Sequence, residues 1–272
     1  MSITLQDRYS PLIDAKLRAT IVQKNGVVWN TRYEGSPTAG AVKVPVRDTE
    51  VTVSAYDKES GAAKSYAAGS FITVAIDKDY AVNEIIDGFD ANSVPDNIVA
   101  DRLDSAGYSL GLQINTDAST ALVNGGTDLG DTTAITKTNV YDYLVDAKTA
   151  LSKAKVPTTG RFLLVSADVM NKLVKSAEFI SASSLGDEVK QTGAVGQIAG
   201  FSVFEDVTLP EDVDFIAGHP DWCCRIEEWQ VAPHLQDLNG SGAYIGASAI
   251  QGRKVYAHAV TKAAAVLVKK NA

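Results

Sequence analysis

The sequence predicts an α+β protein with one long β-hairpin and one unusually long helix. Three observations predict this class. Apolar and polar residues alternate with the two-residue period of strands over residues 41–76. An apolar stripe with helical spacing follows over residues 93–126, and a helix–strand–helix pattern runs over residues 138–174.

The first part of the chain, residues 1–35, is predicted to be an N-terminal arm that contains a partial helix. Apolar residues recur at near-helical spacing between Leu12 and Val22, until Asn25-Gly26 interrupts the pattern. We therefore expect an extension from the main body with a short helical stretch.

Residues 36–78 are predicted to form an extended β-hairpin. The alternation breaks at Lys58-Glu59-Ser60-Gly61, where we expect the turn. A two-stranded hairpin is at best marginally stable alone in water, so we expect another subunit to cover its apolar residues. The predicted interface residues are Val42, Val44, Val46, Val51, Val53, Phe71, Ile72, Val74 and Ile76.

A long helix is predicted between Ser93 and Asn124-Gly125-Gly126. Ser93 is a good N-cap, and Pro95 suits the first turn. The helix would be roughly 45 Å long, which exceeds the roughly 30 Å of a compact small domain, so we expect an elongated subunit built along it. Gly107 and Gly111 inside it predict a close backbone approach or a gentle bend.

The second half of the chain predicts an α/β layer followed by sheet strands. Thr138-Asn139 begins a helix that runs to about Lys155, Arg161 to Val165 forms a short buried strand, and Ser166 begins a third helix. The other predicted segments are a loop over residues 183–196, strands at 200–204 and 214–217, and long sheet strands over 242–270.

Composition and charge argue against several classes of function. Lys plus Arg total 25 against 33 for Asp plus Glu, a net charge of −8, and no stretch gathers the basic residues. Sequence-specific nucleic-acid recognition is therefore not expected. Every apolar run is far shorter than the roughly 20 residues that span a bilayer, so no membrane association is expected. The adjacent Cys223 and Cys224 disfavour a disulfide and indicate a reducing compartment.

The sequence contains no pattern typical of a catalytic site. Gly107-Tyr108-Ser109-Leu110-Gly111 has the letters of a Gly-x-Ser-x-Gly motif, but it lies inside the predicted long helix and not at the strand-to-helix turn that such a nucleophile needs. His219 in Gly218-His219-Pro220-Asp221 predicts a turn. A metal site built from His219, Cys223, Cys224 and His234 is disfavoured, because adjacent thiolates do not have the spacing that tetrahedral zinc uses. We expect no catalytic residue, no cofactor and no metal, and a protein that is not an enzyme.

The order of these parts resembles the HK-ninety-seven-type major capsid proteins of tailed bacteriophages. The sequence GRFLLVSAD at residues 160–168, followed by Asn171-Lys172-Leu173, is similar to the strand-to-helix segment of that family. Residues 197–205 and 215–221 are similar to its glycine-then-strand segment and to the strand that follows. The resemblance implies the family's fold, with an arm over residues 1–35, a hairpin called the E-loop over 36–78, a peripheral domain with the spine helix over 79–137 and 236–272, and an axial domain over 138–235.

The resemblance also implies self-assembly. Copies of the chain would form hexamers and pentamers of an icosahedral shell around double-stranded DNA, with the arm and hairpin absorbing the difference between the two rings. Assembly would take place in the host cytoplasm, and the mature protein would lie in the virion capsid. The implied partners are a separate scaffolding protein, a portal and, where the shell is decorated, decoration proteins, with only non-specific proximity to the packaged DNA.

Two other functions stay open on the sequence alone. An encapsulin-like compartment would have the same fold, and the contents of purified particles would distinguish it from a phage shell. A monomer with measurable turnover on a panel of esters or phosphates would instead favour a small-ligand hydrolase or binding domain.

Overall fold

The computed structural model describes residue 16 and residues 18–33, 40–46, 50–64, 69–89, 98–176, 196–239 and 243–271. Within these ranges the chain is a mixed α+β protein with three sheets and three α-helices, which confirms the predicted class. The helices are α1 (Ile98–Gly125), α2 (Val140–Lys153) and α3 (Ala167–Val174). The strands are β1 (Ala41–Val46), β2 (Ser70–Ala75), β3 (Lys78–Asp87), β4 (Thr127–Asp128), β5 (Arg161–Val165), β6 (Gln197–Ile198), β7 (Phe201–Glu205), β8 (Val213–Gly218), β9 (Cys223–Asp237), β10 (Ala247–Val260) and β11 (Val266–Lys270).

The largest sheet has the strand order β4-β11-β8-β5-β7-β6. Every residue of β5 is buried, as the short apolar run predicted, because both faces of the sheet are covered. Successive residues of β5 enter different cores. Leu163 packs with Leu144 of α2 and Leu173 of α3, whereas Leu164 packs on the opposite face with Leu122 of α1.

A second sheet has the order β3-β10-β9, with all strands antiparallel. The helix α1 covers one of its faces, where Ile86, Ala106 and Ile250 form a buried cluster. The predicted strands over residues 242–270 are confirmed as β10 and β11, which a short 3₁₀ turn at Ala263–Ala265 separates.

The pairing of strands groups the chain differently from the predicted division at residues 138 and 235. The predicted axial range contains nearly all of β9, but this strand pairs with β10 in the three-stranded sheet. The predicted peripheral range contains β4 and β11, but these strands belong to the six-stranded sheet. Alternation along a strand specifies which side chains are buried and not which strand lies beside it, so the sequence carried no signal for these pairings.

The helix α1 has 28 residues, or about 42 Å, and ends at Gly125 as the predicted stop requires. The predicted start at Ser93 lies outside the described residues. A Cβ at Gly111 would lie 2.8 Å from Ile21 Cδ1, so the predicted close approach is confirmed there. Among the described residues, no atom lies within 4 Å of a Cβ placed at Gly107, so they give no close approach there.

The described arm residues 18–24 contain no helix, so the predicted partial helix is wrong for this stretch. Two of their backbone amides bind side chains of α1, and Lys24 N–H donates to Val22 O within the arm (2.8 Å). Ala19 N–H donates to the Tyr108 hydroxyl (2.8 Å), and Gln23 N–H donates to Asn115 Oδ1 (3.2 Å). Within this stretch, Ile21 contacts α1 at Gly111, and Val22 packs in one cluster with Ala118 and Leu122 of the same helix. The other residues of the predicted partial helix, 12–15 and 17, lie outside the described residues.

The hairpin consists of the antiparallel pair β1 and β2, with Val44 opposite Ile72. After β1 the prediction of strand fails, because residues 50–56, which include Val51 and Val53, have no strand assignment in the protomer. The predicted turn is confirmed at Asp57–Gly61, where Gly61 N–H donates to Asp57 O (2.9 Å). Most of the predicted loop, residues 183–195, lies outside the described residues.

Candidate assembly surfaces

One face of the hairpin packs on the three-stranded sheet of its own subunit. Tyr256 of β10 points toward α1, where its hydroxyl donates to Asp117 Oδ2 (2.6 Å), and the adjacent Ala257 therefore faces the opposite side. There Val44 and Val74 are buried in one cluster with Ala257. The other predicted interface residues that are buried or half-buried within the protomer are Val42, Val46, Ile72 and Ile76. Most apolar surface on this face is thus already covered in the single subunit.

The outer part of the hairpin exposes the three remaining predicted residues. Val51 is 84% exposed, Val53 is 93% exposed and Phe71 is 68% exposed. The spacing of Val51 and Val53 places both side chains on one side of an extended segment. We define residues 50–64, which contain Val51 and Val53 but not Phe71 of β2, as the hairpin tip.

The hairpin tip is closed by hydrogen bonds to one carboxylate. Asp57 Oδ1 accepts the backbone N–H groups of Ser60 (2.9 Å) and Glu59 (2.8 Å). The backbone hydrogen bond from Ser60 contributes most to holding the pKa of Asp57 below its usual value. Gly61 has φ of +75°, a conformation that side chains rarely adopt. A defined turn therefore presents the exposed valines.

A second exposed apolar surface lies at the end of the three-stranded sheet, where the sequence pattern predicts none. Phe89 is 79% exposed and Ile245 is 89% exposed. Gly88 N–H donates to Gly246 O (2.9 Å), which holds the two chain segments together. A Cβ at Gly88 would lie 2.3 Å from that oxygen, so only glycine fits. Neither Phe89 nor Ile245 belongs to an alternating run, so periodicity gave no signal for this surface.

The arm is anchored to its own subunit at Arg225, a buried residue of β9. Its guanidinium donates to His258 Nε2 (2.9 Å) and to Asn25 Oδ1 (3.1 Å), and it lies 5.4 Å from the centroid of the Trp29 ring. Burial lowers the pKa of Arg225 to about 10 and that of His258 to about 2. His258 is therefore neutral at physiological pH and can accept the hydrogen bond.

The histidine and cysteines that could have carried chemistry have structural surroundings. His219 Nε2 lies 3.0 Å from Thr159 O, and its Nδ1 accepts Asp221 N–H (3.2 Å), which confirms the predicted turn. Cys223 and Cys224 are buried free thiols, and burial raises the pKa of Cys224 to about 11. Across the described ranges, no group of three or more His, Cys, Asp or Glu residues could hold a metal ion. No described helix is both long and apolar enough to cross a membrane.

Comparisons with known proteins give concordant results. A family model described as "Phage capsid protein" matches residues 72–266, and no curated protein matches the chain. A solved structure from Mycobacterium phage Che8 is 20% identical, with a TM-score of 0.78 over 97% of this chain and 96% of that chain. The capsid structure of cyanophage P-SCSP1u is 14% identical, with a TM-score of 0.81 over 98% of this chain and 93% of that chain. The capsid of an empty GTA particle computed with C5 symmetry is 14% identical, with a TM-score of 0.68 over 96% of this chain and 100% of that chain. At these identities the structures share a fold with the chain.

Proposed function

Because the chain belongs to the phage capsid protein family and is a major capsid protein of the virion, we propose that its copies form the hexamers and pentamers of an icosahedral shell around double-stranded DNA. The observation that carries this proposal is the family match over residues 72–266. The exposed apolar surfaces at the hairpin tip and at the end of the three-stranded sheet support it, because a self-assembling subunit needs such surfaces.

In the proposed shell, the hairpin tip is the part of the hairpin that reaches another copy. Val51 and Val53 have almost no contact with their own subunit, whereas Val44 and Val74 are buried in it. Of the predicted interface residues, we therefore keep Val51 and Val53 in the tip and Phe71 in β2 as contacts with another copy. The face of β1 and β2 that packs on β9 and β10 fixes the direction in which the tip projects.

The two larger sheets support a division of the subunit into two domains. In our proposal the six-stranded sheet with α2 and α3 is the axial domain, near the centre of a capsomer. The three-stranded sheet with α1 is the peripheral domain. The chain passes between the two sheets after β3, between β8 and β9, and between β10 and β11, so the two domains would form one interleaved body.

The remaining parts of the proposal concern partners and chemistry. A separate scaffolding protein, a portal and, where the shell is decorated, decoration proteins complete the particle. The subunit acts by packing and carries out no catalysis. Its net charge of −8 is compatible with a container wall, because packaged DNA retains its own counterions. Double-stranded DNA in purified particles would distinguish this function from a cargo compartment, in which enzymes would be found.

The proposal is tested by deleting the hairpin tip, residues 50–64. The purified wild-type protein is expected to form closed shells in negative-stain electron microscopy. The deletion variant is expected to keep the wild-type unfolding temperature and to elute as small species in size-exclusion chromatography, because the tip contributes little to the subunit core. Full-size shells from the variant would contradict the role of the tip. A stable wild-type monomer under all assembly conditions would contradict the function itself.

A further inference from the structure

We propose that a buried polar network around Asp206 couples the position of the arm to that of the six-stranded sheet, and that this coupling sets the subunit shape used in the shell. The second half of this inference rests on the proposed assembly function. Asp206 follows β7 directly and is 1% exposed. It lies where the six-stranded sheet, α1 and the arm meet.

The carboxylate of Asp206 accepts hydrogen bonds from three parts of the chain. Its Oδ2 accepts from Gln23 Nε2 of the arm (2.8 Å). Its Oδ1 accepts from Asn115 Nδ2 of α1 (3.1 Å), and from the backbone N–H (2.9 Å) and hydroxyl (2.7 Å) of Thr208 in its own loop. A single carboxylate thus binds the arm, the long helix and the sheet.

Gln23 uses both ends of its side chain in the network. Its Nε2 also donates to Ser119 Oγ of α1 (2.5 Å), and its Oε1 accepts the indole N–H of Trp29 (3.0 Å). Gln23, Asn115 and Ser119 are buried to the same degree as Asp206. The amide of Gln23 therefore has one orientation that satisfies every group, with its oxygen toward Trp29 and its nitrogen toward Asp206.

The electrostatics make this arrangement sensitive to displacement. Within the described part of the chain, no lysine or arginine contacts Asp206, and neutral donors alone stabilise the carboxylate. A buried charge that loses a donor cannot recover it from water, so losing one such hydrogen bond shifts a local equilibrium by roughly ten- to hundredfold. A shift of residues 18–24 away from α1 would remove the Gln23 donor from Asp206 and so weaken the attachment of the six-stranded sheet. A tilt of the sheet would weaken the attachment of the arm by the same free energy, because the coupling between two sites is reciprocal.

The test exchanges donor and acceptor between the arm and the sheet. In Asp206→Asn the new amide faces the amide of Gln23, and in Gln23→Glu two carboxylates face each other. The double variant Gln23→Glu with Asp206→Asn restores the pair with its direction reversed, and the carboxylate introduced at position 23 can still accept from Trp29. Asp212→Asn is the matched control, because it removes a carboxylate from the same loop at an exposed position.

The first measurement is hydrogen exchange on the unassembled subunit. Asp206→Asn is expected to speed exchange in residues 18–30 by about tenfold or more. The control is expected to leave those rates unchanged, and the double variant to return them to within a few-fold of wild type. Faster exchange confined to residues 205–212, or a double variant no better than the single ones, would overturn the coupling.

The second measurement is the diameter distribution of assembled particles by electron microscopy. Wild type, the control and the double variant are expected to give one diameter, and Asp206→Asn to give several diameters or unclosed sheets. Folded Asp206→Asn that builds only wild-type shells would overturn the shape-setting role. If wild type formed no shells, the proposed function would fail, and the exchange measurement would still decide the coupling.

Discussion

Replacing Val51 and Val53 together by serine removes the most exposed apolar side chains of the hairpin tip. The two residues are 84% and 93% exposed, so the isolated subunit should lose almost no stability. In the shell, burying each valine against a neighbour contributes about 1.5–3 kcal/mol. Because each subunit supplies one tip, the double variant should weaken assembly by at least about 3 kcal/mol per subunit. At about 1.4 kcal/mol per tenfold, the critical concentration for assembly should rise by at least about a hundredfold.

The assay measures that critical concentration by light scattering across a dilution series. Thr52→Ser is the control, since Thr52 is exposed between the two valines and its side chain points to the other side of the extended segment. Thermal unfolding of the unassembled protein should be the same for all three proteins within about 0.5 kcal/mol. An unchanged critical concentration for the double variant, with normal shells, would refute the assignment of the tip as an interface.

The remaining predictions concern the subunit itself. Asp214 is 6% exposed, its Oδ2 has no hydrogen-bond partner among the residues that the structure describes, and burial raises its pKa. The contribution of Asp214 to stability therefore falls as the pH rises from 3.8 through its raised pKa. In urea unfolding, the free energy of unfolding of Asp214→Asn should increase relative to that of wild type across this pH interval. Parallel pH profiles of the two proteins would contradict this cause. Buried Arg161 donates to the carbonyls of Pro157 and Val156 (both 2.7 Å) and of Lys148 (3.2 Å). Arg161→Met should lower the free energy of unfolding by about 3–5 kcal/mol, because these acceptors lose their donor. A decrease of less than about 1 kcal/mol in chemical denaturation would contradict this. The buried thiols of Cys223 and Cys224 should react with a thiol reagent only on unfolding, and fast labelling of the native protein would disagree with their raised pKa values.

Elements with strong periodicity could be predicted from the sequence. The end of α1 follows from Asn124-Gly125-Gly126, and the burial of β5 follows from a short apolar run between turn residues. Ser166 begins α3 as predicted, and its hydroxyl accepts Val169 N–H (3.4 Å). These features depend on local chemistry, which a single sequence contains in full.

Features that depend on distant partners could not be predicted. Asn115 and Ser119 are polar residues on the buried face of α1, and only their contacts with Gln23 and Asp206 make their burial favourable. The alternation along β1 predicts that its valines share one apolar face, and Val42 and Val44 lie in one cluster. The sequence did not indicate that this face packs on β9 and β10 of the same subunit, because covering by a neighbour satisfies the same pattern.

The most direct test of assembly through the hairpin tip is a cryo-electron microscopy map of the assembled wild-type particle that resolves the contacts of the tip. We expect a closed shell in which Val51 and Val53 lie within van der Waals distance of a different copy of the chain, while β1 and β2 remain packed on β9 and β10 of their own subunit. A map in which the tip contacts only solvent or its own subunit would contradict its assignment as an interface between copies of the chain.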